Sequence, residues 1–181
     1  MLSCKRSHHA VLGITLASTL IACTKESTPS ASAPSASTAN PQAAWLVPTM
    51  PEGAVDVAEL KRTAKEGDAV VIRGRIGGAT KPIAPDIAVF TIVDPAVPSC
   101  ADAADDHCPT PWDYCCETPE SMARSTATIQ ILDATGAPLA GDVQQSGLAP
   151  LDTVIIVGTV GPRPDPKVLT IRATGVHRVG G

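Results

Sequence analysis

Aromatic residues are scarce in this chain, and basic residues are not in excess. Phe, Tyr and Trp make up 2% of the 181 residues, and the four rings belong to Trp45, Phe90, Trp112 and Tyr114. Proteins that bind single-stranded nucleic acid stack bases on several aromatic rings. The formal net charge is −4 at pH 7, which disfavours approach to phosphate backbones and anionic lipid heads. Nucleic acid is therefore not expected as a partner.

The sequence also lacks an apolar run long enough for a transmembrane helix. The apolar segment Ala10 to Ala22 is shorter than the roughly 20 residues that a bilayer requires. It follows Lys5 and Arg6 and ends in Leu20-Ile21-Ala22-Cys23, which is the layout of a secretory signal. This stretch resembles the processing site of small exported bacterial lipoproteins of unassigned function. The resemblance implies cleavage before Cys23, lipidation of Cys23, and anchoring to a bacterial membrane on its periplasmic or cell-surface side.

The composition changes twice along the chain, and these changes divide it into three parts. Residues 1–22 form the predicted signal peptide. Residues 23–47 are rich in Ser, Ala and Pro, a composition too poor in apolar bulk to pack, and they predict a tether. Residues 48–181 are of ordinary size for one domain and can bury a core.

Hydrophobic periodicity in this third part predicts one short helix and five strands. Asp56 and Glu59 are spaced as in an N-terminal capping box, and Val57, Leu60 and Ala64 form one helical stripe that Gly67 ends. A single helical turn is expected over residues 147–151. The predicted strands, rich in Val, Ile and Thr, are Asp68–Ile76, Ile87–Asp94, Thr126–Asp133, Thr153–Val160 and Val168–Val176.

The helix followed by Gly67-Asp68-Ala69-Val70-Val71-Ile72-Arg73-Gly74-Arg75-Ile76 resembles the opening of exported bacterial OB-fold and anticodon-binding-like domains. The resemblance implies a mainly β fold: a five-stranded OB-like antiparallel barrel with a short N-terminal helix. A long Cys-containing insert lies between its second and third strands. The fold alone implies no activity, because it carries many unrelated functions.

The insert, residues 94–124, holds most of the chemistry of this domain. A hairpin needs only a few residues at this point, and long connections in compact domains are often functional. The segment is acidic, and the stretch from Pro82 to Ala123, which includes nearly all of it, contains no Lys or Arg. We name it the Cys loop after its four cysteines, Cys100, Cys108, Cys115 and Cys116.

Three interpretations of these cysteines remain open at this point. An exported protein favours two disulfides, with Cys100 and Cys108 tied in either order to Cys115 and Cys116. A metal site would use the thiolates with His107 and would bind Zn(II) or Cu(I), although no C-x2-C spacing is present. A thiol redox pair at Cys115-Cys116 is disfavoured because nearby carboxylates raise thiol pKa values. Further candidate metal ligands are Asp102, Asp105 and Asp106.

The sequence favours a binding module over an enzyme. Ser121 and Ser125 have no histidine at a suggestive spacing, and no Gly-rich phosphate loop is present. We therefore expect a lipid-anchored exported binding or accessory module, with no cofactor required and with Zn or Cu as the alternative. Its partner would be an envelope protein or polymer. The candidate recognition residues are Trp112, Asp113, Tyr114 and Glu117.

Overall fold

A computed structural model describes residues 44–105 and 107–180 of the chain. This part of the chain contains short helices and a single β-sheet, and most of its regular structure is strand. The elements in chain order are β1 (Val55–Asp56), α1 (Val57–Thr63), β2 (Ala69–Ile76), β3 (Val89–Val93), α2 (Pro119–Ser125), β4 (Thr126–Ile131), β5 (Thr153–Val160) and β6 (Thr170–Arg178).

The sheet closes on itself as a five-stranded barrel. Its strand order is β2-β3-β4-β6-β5, and β5 pairs back with β2, while β1 adds a short parallel pairing at β2. The predicted five-stranded barrel with its insert between the second and third strands is thus confirmed. Its sheet is mixed rather than antiparallel, since β4 and β6 run parallel. Side-chain alternation is the same in both kinds of pairing, so the sequence pattern could not distinguish them.

The core lies inside the barrel and follows the predicted alternation. In β4, Ala127, Ile129 and Ile131 are buried, while the intervening residues are half-buried on the other face. Gly74 of β2 sits where a Cβ would approach the side chain of Ile92 to 2.8 Å, so a close contact between β2 and β3 requires glycine there.

Helix α1 is present, but its N-terminus is capped differently from the prediction. Val57 and Leu60 are buried as expected. The Asp56 side chain makes no cap and instead forms a two-bond ion pair with Arg73. The buried carboxylate of Asp94, at the start of the Cys loop, accepts the Ala58 N–H at 2.7 Å. A residue distant in sequence therefore supplies the acceptor that helix N-termini need.

The helical turn predicted over residues 147–151 is misplaced. The structure has a 3-10 helix at Val143–Ser146, whose N-cap Asp142 accepts the Gln144 N–H. Gly147 ends it with a φ of 91°, a left-handed conformation that favours glycine. The sequence does contain a signal for this turn, because Asp142 marks its start and Gly147 marks its end. The prediction instead began the turn at Gly147.

The described residues belong to one compact unit, Thr38–Gly181. The predicted signal peptide, Cys23 and nearly all of the tether lie outside the described residues. Within residues 44–105 and 107–180, no helix has the length and apolar character required to span a bilayer.

Candidate functional site

The Cys loop connects β3 to β4 and ends in a helix that the periodicity did not predict. Helix α2 begins after Thr118, whose hydroxyl accepts the Ser121 N–H at 3.1 Å, and has Pro119 in its first turn. A Thr-Pro pair of this kind is a helix start signal. The periodicity did not predict this helix, because about two turns of chain show no clear apolar stripe.

The loop is docked on the barrel through two glycines at the end of β2. The Gly78 N–H donates to the Trp112 carbonyl at 2.8 Å, and the Trp112 indole N–H donates to the Thr80 carbonyl at 3.1 Å. A Cβ on Gly77 would lie 2.6 Å from the Trp112 carbonyl oxygen. The side chain of Tyr114 is buried beside Gly77, and its φ of 58° is left-handed. These contacts place the segment 112–116 on the barrel wall.

An ion pair holds the first part of the loop. The Asp102 carboxylate accepts from Arg75 Nη1 at 2.6 Å and from the backbone and hydroxyl of Ser99. The hydrogen bond from Arg75 holds the pKa of Asp102 below its usual range. The 3-10 helix Cys100–Asp102 is thereby fixed to β2. It presents Cys100 towards the other cysteines.

The four cysteine sulfurs lie close together, although the cysteines are spread over residues 100–116 of the loop. Cys115 Sγ lies 3.7 Å from Cys100 Sγ, 3.7 Å from Cys108 Sγ and 4.0 Å from Cys116 Sγ. The thiol of Cys100 also interacts with those of Cys108 and Cys116. These separations are far longer than the ~2.05 Å of a disulfide bond. No described pair is at bonding distance, so the predicted disulfides are not shown and remain a prediction.

The cysteine cluster lies at the surface, and one of its four residues is buried. Cys100 is buried, Cys108 is half-buried, and Cys115 and Cys116 are exposed. Burial raises the pKa of the Cys100 thiol. Hydrogen bonds with Cys108, and then with Cys100 and Cys116, raise the pKa of Cys115. Without a metal, the Cys100 and Cys115 thiols therefore hold their protons at neutral pH.

One carboxylate joins the sulfurs. Ligand atoms of Cys100, Cys108, Cys115 and Asp113 all lie within 4.8 Å of one another, an arrangement that could hold a metal ion. Asp113 Oδ1 accepts the Cys115 N–H at 3.0 Å, and Oδ2 accepts the Thr110 hydroxyl at 2.7 Å. Both oxygens of Asp113 therefore already have a hydrogen-bond donor.

The other predicted metal ligands lie apart from this group. Among the described residues, His107 and Asp105 are exposed and do not belong to it, and the Asp102 carboxylate is directed to Arg75. Asp106 lies outside the described residues. These residues are near the cysteines in sequence. The direction in which a side chain points from an irregular loop does not follow from sequence spacing.

The candidate recognition residues differ in their accessibility. Tyr114 is 2% exposed, so its ring contacts the barrel rather than solvent. Trp112 and Glu117 are half-buried. The sequence analysis did not indicate that Asp113 belongs to the cysteine cluster. The available signal was its position two residues before Cys115.

Comparisons with known proteins place this chain in no family. No family model matches it, and no curated protein matches it. A search of solved structures found similarity to the hypothetical protein ygiW from E. coli, with 19% sequence identity and a TM-score of 0.34. The match covers 71% of this chain and 94% of that chain.

Proposed function

We propose that this chain is an exported, lipid-anchored accessory module whose Cys loop binds one soft metal ion, Zn(II), through cysteine thiolates. The observation that carries the proposal is the spacing of the sulfurs. A Zn–S bond of about 2.3 Å in a tetrahedral site puts its sulfurs about 3.8 Å apart. Cys115 Sγ lies 3.7 Å from two other sulfurs and 4.0 Å from a third.

The same distances give less support to a disulfide loop or a redox pair. Cys115 is equally near Cys100 and Cys108, whereas a disulfide needs one partner at about 2.05 Å. A redox cysteine needs an accessible thiolate. The hydrogen bonds among the thiols raise the pKa of Cys115, which makes that thiolate scarce. A metal cation would reverse this preference by binding the thiolate form.

For the fourth ligand we favour Cys116 over Asp113. The Cys116 sulfur lies 4.0 Å from that of Cys115 and interacts with that of Cys100, and Cys116 is exposed. Both oxygens of Asp113 accept hydrogen bonds within the loop, so this carboxylate is suited to orienting Cys115. Four thiolates suit both Zn(II) and Cu(I), and the tetrahedral spacing favours Zn(II).

A site with four protein ligands has no open position for a reacting water, which fits a structural or carrier role. Two of its cysteines are exposed, so a partner can reach the metal. The tether and the lipid on Cys23 would hold this site near a membrane outside the cytoplasm. The acidic residues of the loop would attract cations to it, and an envelope protein or polymer would be its partner.

The test is the metal content and thiol state of the full chain, produced in a bacterial envelope and extracted in detergent. We expect one zinc per chain by native mass spectrometry and no alkylation of the four loop cysteines until a chelator is added. The Cys116→Ser variant should lose zinc affinity by at least about tenfold, whereas Asp113→Asn should retain stoichiometric zinc. Two disulfides with no bound metal would overturn the proposal.

A further inference from the structure

A cavity of about 490 Å³ lies between α1, α2 and the connection that follows β5. Its walls carry four basic side chains, Lys61, Arg62, Arg124 and Lys167, and the small apolar residues Ala58 and Ala123. No described residue that lines it is acidic. Such a concentration of one sign of charge stands out in a chain of net negative charge.

Lys61 is the buried centre of this basic group. It is 8% exposed, and its ammonium donates one hydrogen bond, to the Thr126 carbonyl at 2.5 Å. An ammonium has three donors, so two are available to a ligand. No described carboxylate forms an ion pair with Lys61, and Arg163 adds a positive charge beside it. Burying a cation without a counter-charge is costly unless a ligand supplies one.

The other three cations are also available. Arg62, Arg124 and Lys167 have no side-chain hydrogen bond or ion pair with any described residue. In contrast, the barrel arginines Arg73, Arg75 and Arg178 each have a carboxylate partner, and the Arg163 guanidinium donates to backbone carbonyls that include Lys61 O and Ala64 O.

We propose that this cavity binds a phosphate group carried by a small organic molecule or a lipid headgroup. Guanidinium groups of Arg62 and Arg124 match phosphate oxygens in pairs, and the two lysines add charge. The volume exceeds that of one phosphate, and Ala58 and Ala123 give the organic portion an apolar wall. Net negative charge does not prevent this, because screening limits remote charges to about 10 Å at 0.1 M salt.

The experiment uses the compact unit 38–181, which contains the closed barrel and its core and lacks the lipid. Inorganic pyrophosphate is titrated calorimetrically, and flotation is measured with vesicles of phosphatidylglycerol and of phosphatidylcholine. The test variants are Arg124→Gln and Lys167→Gln, both at exposed positions. The control is Arg172→Gln, which removes the same charge from an exposed, unpaired arginine of β6 that does not line the cavity.

Pyrophosphate binding that each test variant weakens about tenfold, with the control within about twofold, would support a free phosphate ligand. Flotation with phosphatidylglycerol alone, lost in the test variants and kept in the control, would support a lipid headgroup. Absence of both kinds of binding would overturn the proposal. Equal losses in test and control variants would also overturn it, because they indicate attraction to net charge only.

Discussion

The ring of Tyr114 fills the space that a side chain at Gly77 would need. A Cβ on Gly77 would lie 2.8 Å from Tyr114 Cε2 and 2.6 Å from the Trp112 carbonyl oxygen. Because Tyr114 is followed directly by Cys115 and Cys116, the glycine at the end of β2 determines how closely the cysteine cluster approaches the barrel. The position of the candidate metal site therefore depends on a residue outside the Cys loop.

Gly77→Ala should displace the segment 112–116 and weaken zinc binding. We expect a loss of about 1–3 kcal/mol in unfolding free energy, the cost of an added methyl group in a packed contact. We also expect a lower zinc affinity, measured by competition with a colorimetric chelator. Gly161→Ala is the matched control, because its Cβ would meet no atom closer than 3.4 Å. Unchanged zinc affinity in Gly77→Ala would show that the loop does not need this contact.

Asp102→Asn should destabilise the loop without changing zinc stoichiometry. The carboxylate pairs with Arg75 and caps Ser99, and neither interaction is part of the sulfur cluster. Because the folded pKa of Asp102 lies below 3.8, its stabilising effect is present above pH 3.8 and is lost as pH falls through the folded pKa. Hydrogen exchange of residues 99–103 at pH 7 measures the change. A loss of zinc stoichiometry would instead make Asp102 a ligand, as its sequence position suggested.

Lys61→Met should stabilise the unliganded protein at neutral pH. Burial, together with Arg163, lowers the pKa of Lys61 from 10.5 to about 8. Between these values the unfolded chain binds more protons than the folded one, so the wild-type unfolding free energy rises with pH. At about 1.4 kcal/mol for each pKa unit, the advantage of Lys61→Met is at most about 3 kcal/mol at pH 7, and it should therefore shrink from pH 8 to 10.5.

Chemical denaturation across this pH range measures that difference. Lys65→Met serves as the control, since Lys65 is exposed just beyond α1. A gap between wild type and Lys61→Met that stays constant with pH would show that Lys61 is not desolvated in the folded protein.

Cys23→Ala should abolish lipidation and release the processed chain from the membrane. The prediction rests on the apolar segment ending at Ala22 and on the cysteine that follows it. Radioactive palmitate labelling and membrane fractionation measure it, with Cys4→Ala as the control because Cys4 lies within the predicted signal peptide. Equal labelling of both variants would place the lipid elsewhere.

The strands could be predicted from the sequence because the alternation of side chains that indicates them is local. Thr153–Val160 has the predicted bounds, and the alternation of Thr126–Ile131 fits its burial residue by residue. The cap of α1 could not be predicted, because the oxygen that accepts the Ala58 N–H belongs to Asp94, 36 residues away in the sequence. The short helix α2 carries a capping signal but too few turns for a periodic stripe.

The candidate site could likewise be predicted only in part from the sequence. The sequence named the four cysteines and the acidic character of the loop, which are properties of composition. It could not show that Cys115 lies beside both Cys100 and Cys108, or that Asp113 supports it. Loop geometry depends on Gly77, Arg75 and the docking of Tyr114, which are contacts between segments far apart in the chain.

The sequence by itself determined the five strands, the short leading helix and the place of the insert, because alternation and turn residues act over a few neighbours. Only the tertiary structure decided the parallel pairing of β4 with β6, the convergence of the sulfurs and the gathering of Lys61, Arg62, Arg124 and Lys167 around one cavity. These features bring together distant segments, and their positions follow from how the whole chain packs.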